Sequence, residues 1–496
     1  MHAHRSRRGT AEQAPLVGAG MAISVDSRQI LRACAELAED VRELTWIARD
    51  QASRAETPPA DGLLEQLRRD ALGDARALEI VADALVAAPD CRALREGAAE
   101  RLDFAGAIRR RQAVLAGALA AASWQSPSIR DAHSPQAGPA LGRVRAHHDD
   151  YARDRHPAGH AYARLLAATR APGSAALLTS CGMSAAVVAL ARLARAGALR
   201  HGVLLGASTY HETRDLVQHA APHAHLHEEH PDGALTAAIT RLRPGCVVLD
   251  AVASERGVAI PEIARIAEAI ADARPGSWLV IDLTGAPLAP SPLTLAAARA
   301  GTLRVLALES LTKHAQLGLD RVTAGALYAA PGEIPALDEL REHLGANIAD
   351  ASVHALPTPA RSVLARRLAR HARNAGVLAH ELAAAAPGSV EVAHPALAAH
   401  PAHARLPATW LTLGFTTSEH ARTFIEAALD HARELTVALV EGASFGLDTT
   451  RIYAPSPGRR SHGAFVRISP GIEHAERLPR LAEVLTRALA AAHEAA

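Results

Sequence analysis

Glu309-Ser310-Leu311-Thr312-Lys313-His314 follows the apolar run 303–308, and the reading of its lysine decides the fold. A lysine just past a strand stands at the carboxyl edge of a sheet, where α/β proteins bind ligands. Held there, its amine can form an imine with an aldehyde cofactor. Ser310 and Thr312 add hydroxyls that suit a phosphate. Taken alone, the string also reads as a surface turn.

Working outward, Asp282 ends the apolar run 278–281, 31 residues before Lys313. That spacing holds one crossover helix and one strand, which predicts the acid and the lysine on nearby strand ends. Asp282 reads either as a helix cap or as a carboxylate that keeps a pyridine nitrogen protonated. Earlier, Ser180-Cys181-Gly182-Met183-Ser184 separates the strand 175–178 from a helix over 184–196 that Gly197 ends. Backbone N–H groups and the helix dipole favour an anion at such a turn; the alternative is a plain N-cap at Ser180 or Ser184. Tyr210, just past the strand 201–205, reads as a ring stacking on a flat cofactor or as ordinary packing.

Strands at 175–178, 201–205, 246–249, 278–281 and 303–308 alternate with helices, for example 261–273. This predicts an α/β domain with a mostly parallel sheet. The chain divides into a disordered tail at 1–20, a helical extension at 21–125, an α/β domain at 126–335 and a smaller C-terminal α+β domain at 336–496. In the extension, Ile30, Leu31, Cys34, Leu37, Val41 and Leu44 recur near helical spacing after a cap at Ser24 or Asp26. Thr57-Pro58-Pro59 breaks that helix, and further helices are predicted at 62–88 and 91–122. No catalytic pattern shows there, so the extension reads as packing on the main body or on a partner subunit. A long helix at 358–384 and strands near 410–414 and 464–468 complete the reading.

The chain has 496 residues, 49% of them apolar, enough for a large core. With 53 basic and 52 acidic residues, no charge excess asks for nucleic acid. No apolar run is long enough to span a membrane and no secretory h-region follows the first arginines. Four scattered cysteines read as free thiols in a reducing, cytoplasmic setting. His219, His223, His225, His227 and His230 crowd together without zinc spacing, which reads as a solvated strand and loop; no metal is expected.

From about residue 151 to the C-terminus, these motifs resemble the Cys/Met-metabolism family of pyridoxal 5'-phosphate (PLP) enzymes, such as cystathionine γ-synthase, cystathionine γ-lyase and methionine γ-lyase. The boxes fall in order. Tyr151-Ala152-Arg153 with His156-Pro157 is similar to the family's Tyr-Ser-Arg-x-x-Asn-Pro. Cys181-Gly182-Met183 matches its Ser-Gly-Met turn, Tyr210 its ring-stacking tyrosine, Asp282 its pyridine-nitrogen acid, and Ser310-Leu311-Thr312-Lys313 its Ser-x-Thr-Lys box. Val466-Arg467-Ile468-Ser469 is similar to its carboxylate-binding arginine segment, and Ser444 in Ala443-Ser444-Phe445-Gly446 to the serine that assists it.

The resemblance implies a fold type I, aspartate-aminotransferase-like PLP-dependent transferase fold with the cofactor on Lys313. It implies that Tyr151 and Arg153 reach a neighbouring subunit's phosphate, hence a homodimer or homotetramer. It implies an amino-acid substrate held by Arg467 and Ser444. Lys313 would take the α-proton, Asp282 sustain the electron sink and Tyr210 assist as acid or base, in γ- or β-elimination or replacement. Specialised metabolism fits the departures: His314-Ala315-Gln316-Leu317-Gly318 replaces Tyr-Ile-Gly-Gly-His, and Ser254 stands for an asparagine. The other readings are transamination, decarboxylation or racemisation on the same cofactor, or a non-catalytic regulator.

Overall fold

The computed structural model describes residues 25–54, 62–87, 157–227, 233–254, 256–289, 293, 301–397, 406–455 and 463–494. The expected tail at 1–20, the Thr57-Pro58-Pro59 break and the helix at 91–122 lie outside these residues. No described helix is long and apolar enough to cross a membrane.

The chain opens with a hairpin of two long helices, α1 (Val25–Arg54) and α2 (Gly62–Ala87). Leu37 and Val41 of α1 meet Leu78, Ala82 and Leu85 of α2 in a small core of their own. The other face of α1 is acidic. This helix packs on the main body, which is the first of the two arrangements its sequence allowed.

A seven-stranded sheet follows: β1 (Ala175–Thr179), β2 (Val203–Gly206), β3 (His225–His227), β4 (Cys246–Asp250), β5 (Ser277–Asp282), β6 (Leu303–Ser310) and β7 (Gly325–Ala329), in the order β1-β7-β6-β5-β4-β2-β3. The five strands β6, β5, β4, β2 and β3 are parallel. Strand β7 runs antiparallel to both β6 and β1. The expected strands all form, including one in the histidine-rich stretch read as strand and loop, where β3 covers His225–His227; β7 is an addition and makes the sheet mixed. The link after β6, residues 311–324, holds a single 3₁₀ turn at 314–316 and no crossover helix, and the chain returns antiparallel.

Helices α3 (Pro157–Arg170), α4 (Gly182–Arg195), α5 (His211–Ala220), α6 (Ala234–Leu242), α7 (Ile263–Ala273), α8 (Ile334–His343) and α9 (Asp350–Ala355) accompany this sheet. Both of its faces are covered, which explains uninterrupted apolar strands such as Cys246-Val247-Val248-Leu249. Val247 and Leu249 enter one core, Cys246 and Val248 the other. One ion pair crosses this interior. Arg170, at the end of α3, lies 3.6 Å from Glu309 of β6, and the Tyr328 hydroxyl of β7 donates to the same carboxyl. Burial pushes the Glu309 carboxyl up, against the pull of Arg170. These contacts fix the end of β6 one residue before Ser310.

The C-terminal part builds a second sheet of β8 (Glu391–Ala393), β9 (Leu411–Phe415), β10 (Val440–Glu441), β11 (Arg451–Tyr453) and β12 (Ala464–Ser469), in the order β10-β11-β12-β9-β8. Helices α10 (Arg361–Ala385), α11 (Ser418–Glu434) and α12 (Leu478–Glu494) share its core through Leu378, Phe424 and Leu485. Trp410 and Phe445 join the core of the large sheet instead, so the two sheets meet beside the turn that carries Lys313.

Candidate functional site

The parallel register sets Asp282 of β5 beside Leu308 of β6, so the acid and the turn bearing Lys313 emerge on neighbouring strand ends. Thr284 ties the two ends together. Its N–H donates to Asp282 Oδ1 at 2.7 Å, and its Oγ1 accepts from the Ser310 N–H at 2.8 Å. Burial raises the Asp282 carboxyl; the Thr284 hydrogen bonds and the Lys313 charge oppose it.

Lys313 is partly buried. Its Nζ lies 3.4 Å from Ser444 Oγ and 5.3 Å from the centre of the Phe445 ring. Burial lowers its ammonium pKa, and the Arg467 charge adds to that shift. A lysine so placed has a larger neutral fraction, the form that acts as nucleophile or base.

Strand β1 delivers the turn at 180–184 to the same edge. The helix cap is Cys181, not Ser180 or Ser184: its Sγ accepts from the Ser184 N–H at 3.4 Å. Ser184 lies within α4, where its hydroxyl meets that of Ser180 at 2.7 Å. Gly182 abuts Ser310 so closely that a Cβ on it would fall 2.8 Å from the Ser310 Cβ. Ser310 Oγ in turn lies 2.7 Å from Thr312 Oγ1. The first turn of α4 and two hydroxyls therefore share one small space. Met183 turns its sulfur toward Thr213 of α5, 3.8 Å away, so only its backbone belongs to this cradle.

Gly325 of β7 lies against the turn from the other side. A Cβ there would fall 2.2 Å from the Cys181 carbonyl oxygen and 2.7 Å from Gly182 N, both backbone atoms that cannot swing away. Gly325→Ala is expected to lower stability by about 1–3 kcal/mol, the usual range for overpacking. It should also weaken PLP affinity. Thermal unfolding and a fluorescence titration with PLP check the two effects.

Tyr210 caps α5, with its N–H donating to Asp250 Oδ1 at 3.1 Å. Burial and the hydrogen-bonded Glu212 carboxylate push its phenol well up, so it stays protonated. Tyr453 and Arg467 also lie within its electrostatic reach. Arg467, on β12, donates to the Ala443 carbonyl and stacks over Phe445 and Tyr453 at 5.3 and 5.6 Å. The structure thus brings Lys313, Asp282, Tyr210, Arg467 and Ser444 to one edge, with the Cys181–Met183 turn, Ser310 and Thr312 beside them. Tyr151 and Arg153 lie outside the described residues.

His314 does not face this edge. It is 2% exposed and packs its ring against Phe445 and His371, with Nε2 3.1 Å from Thr409 Oγ1. Burial lowers its pKa far below the ordinary value, so it is a neutral packing residue. Sequence reasoning missed Asp250, Thr284, Phe445 and Tyr453. Asp250 carried a signal: it closes the apolar strand β4 as Asp282 closes β5. The other three carried none, since their roles depend on the meeting of distant segments.

The Cys/Met metabolism PLP-dependent enzyme family model matches residues 112–484. Among solved structures, cystathionine gamma synthase from Xanthomonas oryzae pv. oryzae superposes with a TM-score of 0.56 at 22% identity, over 70% of this chain and 89% of that one. CalE6, a methionine gamma lyase from Micromonospora echinospora, gives 0.51 at 23% identity over 68% and 86%. At these identities the likeness speaks for the fold. The bifunctional enzyme flvA of Aspergillus flavus is 29% identical over 181 residues, which are 34% of this chain and only 21% of the fungal protein. The fold is therefore that of the type I PLP enzymes, with a helical N-terminal extension added, and the chain belongs to the PLP-dependent enzymes of the Cys/Met metabolism family.

Proposed function

We propose that this site eliminates or replaces a leaving group at the γ (or β) carbon of an amino acid. The observation that carries the reading is the setting of Lys313. Burial and the Arg467 charge lower the proton affinity of its amine, Asp282 opposes them, and Ser444 lies in hydrogen-bond reach.

The residues present fit PLP. The first turn of α4 with Ser310 and Thr312 makes an anion cradle, and the missing Cβ of Gly182 lets Ser310 close against that turn. Asp282 is a carboxylate whose burial is unfavourable without a cation, and a protonated pyridine nitrogen supplies one. PLP, when bound, supplies an electron sink for the carbanion at the substrate α-carbon. Lys313 holds the cofactor, then takes the α-proton at Nζ and carries a proton onward. Arg467 and Ser444 hold the substrate carboxylate and so align the α C–H bond. Tyr210, kept protonated, is suited to donate to the departing group and to stack on the ring.

The same reading includes Tyr151 and Arg153 serving the phosphate of a neighbouring subunit, so the active unit is a homodimer or homotetramer. It includes a cofactor domain at 126–335, a C-terminal domain at 336–496 and a cytoplasmic setting, supported by the free thiols of Cys181 and Cys246. Specialised metabolism fits the altered surroundings of the lysine.

The test is product analysis. The PLP-loaded protein is incubated with amino acids carrying ester or thioether groups at the γ or β carbon, with and without an added thiol. Free leaving group with ammonia and a 2-oxo acid marks elimination. An amino acid with the thiol in place of the leaving group marks replacement. An amine with carbon dioxide, or a 2-oxo acid that keeps its leaving group, overturns the proposal.

A further inference from the structure

The acids of α1 and the arginines of α10 meet in antiparallel register. Glu36 pairs with Arg373, Asp40 with Arg370 and Glu43 with Arg367. Asp40 also meets His474 at 2.7 Å, Glu36 accepts from Ala475 N at 2.8 Å, and Asp50 accepts from Thr358 N at 3.0 Å. The spacings i, i+4, i+7 on one helix and i, i+3, i+6 on the other place each set on a single face. Most of these charges are buried, Glu43 and Arg367 at 8% and 3% exposure. A pattern so fully matched is a specified contact.

One pair continues into the site. Arg367 donates through one nitrogen to Glu43 Oε1 and through the other to Asp448 Oδ1, each at 2.6 Å. Asp448 lies four residues after Ser444, the hydrogen-bond partner of Lys313. Its carboxylate fits against Gly318, where a Cβ would fall 2.0 Å from Oδ1. Its carbonyl accepts from Ile472 N at 3.0 Å. Between the two, Phe445 packs on His314 and Trp410, and Gly446 adopts φ +76° against the His314 backbone. Segment 444–448 is thus pinned at both ends, and Arg367 is the pin at Asp448. A buried guanidinium holds its fork only while both branches find acceptors.

We propose that Glu43 of the N-terminal extension is a positioning residue, which through Arg367 and Asp448 holds the segment carrying Ser444 against Lys313. This rests on the reading of Ser444 and Lys313 given above and assigns the extension a part in it. Burial, together with the neighbouring Asp448 and Asp40 charges, pushes the Glu43 carboxyl up to about 7 against the pull of Arg367. Arg367 keeps the Asp448 carboxylate on its other branch, so an amide oxygen at position 43 can still accept from the first branch of the fork.

The experiment is hydrogen–deuterium exchange on the full chain, with and without PLP. Glu43→Ala is expected to speed exchange in 443–450 by about tenfold or more, the effect of losing one buried charge-assisted contact. Exchange in β9 at 411–415 should stay as in wild type. Glu43→Gln should restore slow exchange in 443–450. Asp40→Ala, which removes the partner of Arg370 and His474 and leaves the Arg367 fork in place, should speed exchange in α1 and near 474 but not in 443–450. Unchanged exchange at 443–450 in Glu43→Ala, or equal loosening there in Asp40→Ala, would overturn the proposal. Should the alanine variant not fold, Glu43→Asp, with its acceptor withdrawn by one methylene, is read in the same way. The measurement needs no turnover, so its outcome is separate from that of the product analysis.

Discussion

Lys313→Ala is expected to lower turnover by about 10⁴-fold, the upper end of what a positioned general base contributes. The upper end applies because the same amine has two duties: it holds the cofactor and it moves the α-proton. The visible absorption band of wild-type protein with PLP should be missing from the variant. Lys313→Arg should fail equally, although it keeps the positive charge. A guanidinium does not deprotonate in a protein, whereas the Lys313 amine is pushed toward its neutral form by burial and by Arg467. Retained turnover in either variant would refute the assignment of Lys313 and, with it, the mechanism proposed for the site.

The large sheet was legible because its strands are buried on both faces and read as plain apolar runs. Strands β4 and β5 needed no partner to be recognised, and Asp282, the acid closing β5, marked the functional edge. Strand β7 was not legible in the same way. Gly325-Ala-Leu-Tyr-Ala has weak strand character, and its place between β1 and β6 is set by non-local pairing. The link 311–324 is long enough for a crossover by length, so its antiparallel return could not be read from the sequence.

The candidate site shows the same division. Cys181, Gly182, Ser310, Thr312 and Lys313 lie in local turns whose residue types announce their chemistry. Ser180 and Ser184 were the alternatives offered for a plain helix cap because hydroxyls are the usual caps, yet the Cys181 sulfur occupies that position. Arg467 and Ser444 were found by likeness of motif, since nothing local relates 444 or 467 to 313. The acids of α1 were passed over for a physical reason: a charged stripe on a helix normally faces water. Only the matching stripe more than 300 residues later, at Arg367, Arg370 and Arg373, turns it into a buried contact.

Arg467→Met is expected to raise KM for the amino acid by about 10²-fold. That corresponds to roughly 3 kcal/mol, within the range for losing one partner of a buried, hydrogen-bonded charge pair. Methionine retains an apolar stem against Phe445 and Tyr453, so the effect should fall on the substrate carboxylate more than on the fold. A second consequence separates this arginine from a structural one. Lys313 Nζ and Arg467 Cζ each lie 5.3 Å from the Phe445 ring centre, so the two cations share one aromatic plate. Arg467 is one of the charges that lower the Lys313 pKa. Removing it should raise that pKa and move the acidic limb of the pH–rate profile to higher pH. Arg467→Lys keeps the charge but loses the planar fork, so it should raise KM and leave the limb near its wild-type position. Steady-state kinetics across pH for the three proteins distinguish these outcomes. An unchanged KM in the methionine variant would move the carboxylate site elsewhere, and an unshifted limb would remove Arg467 from the control of Lys313.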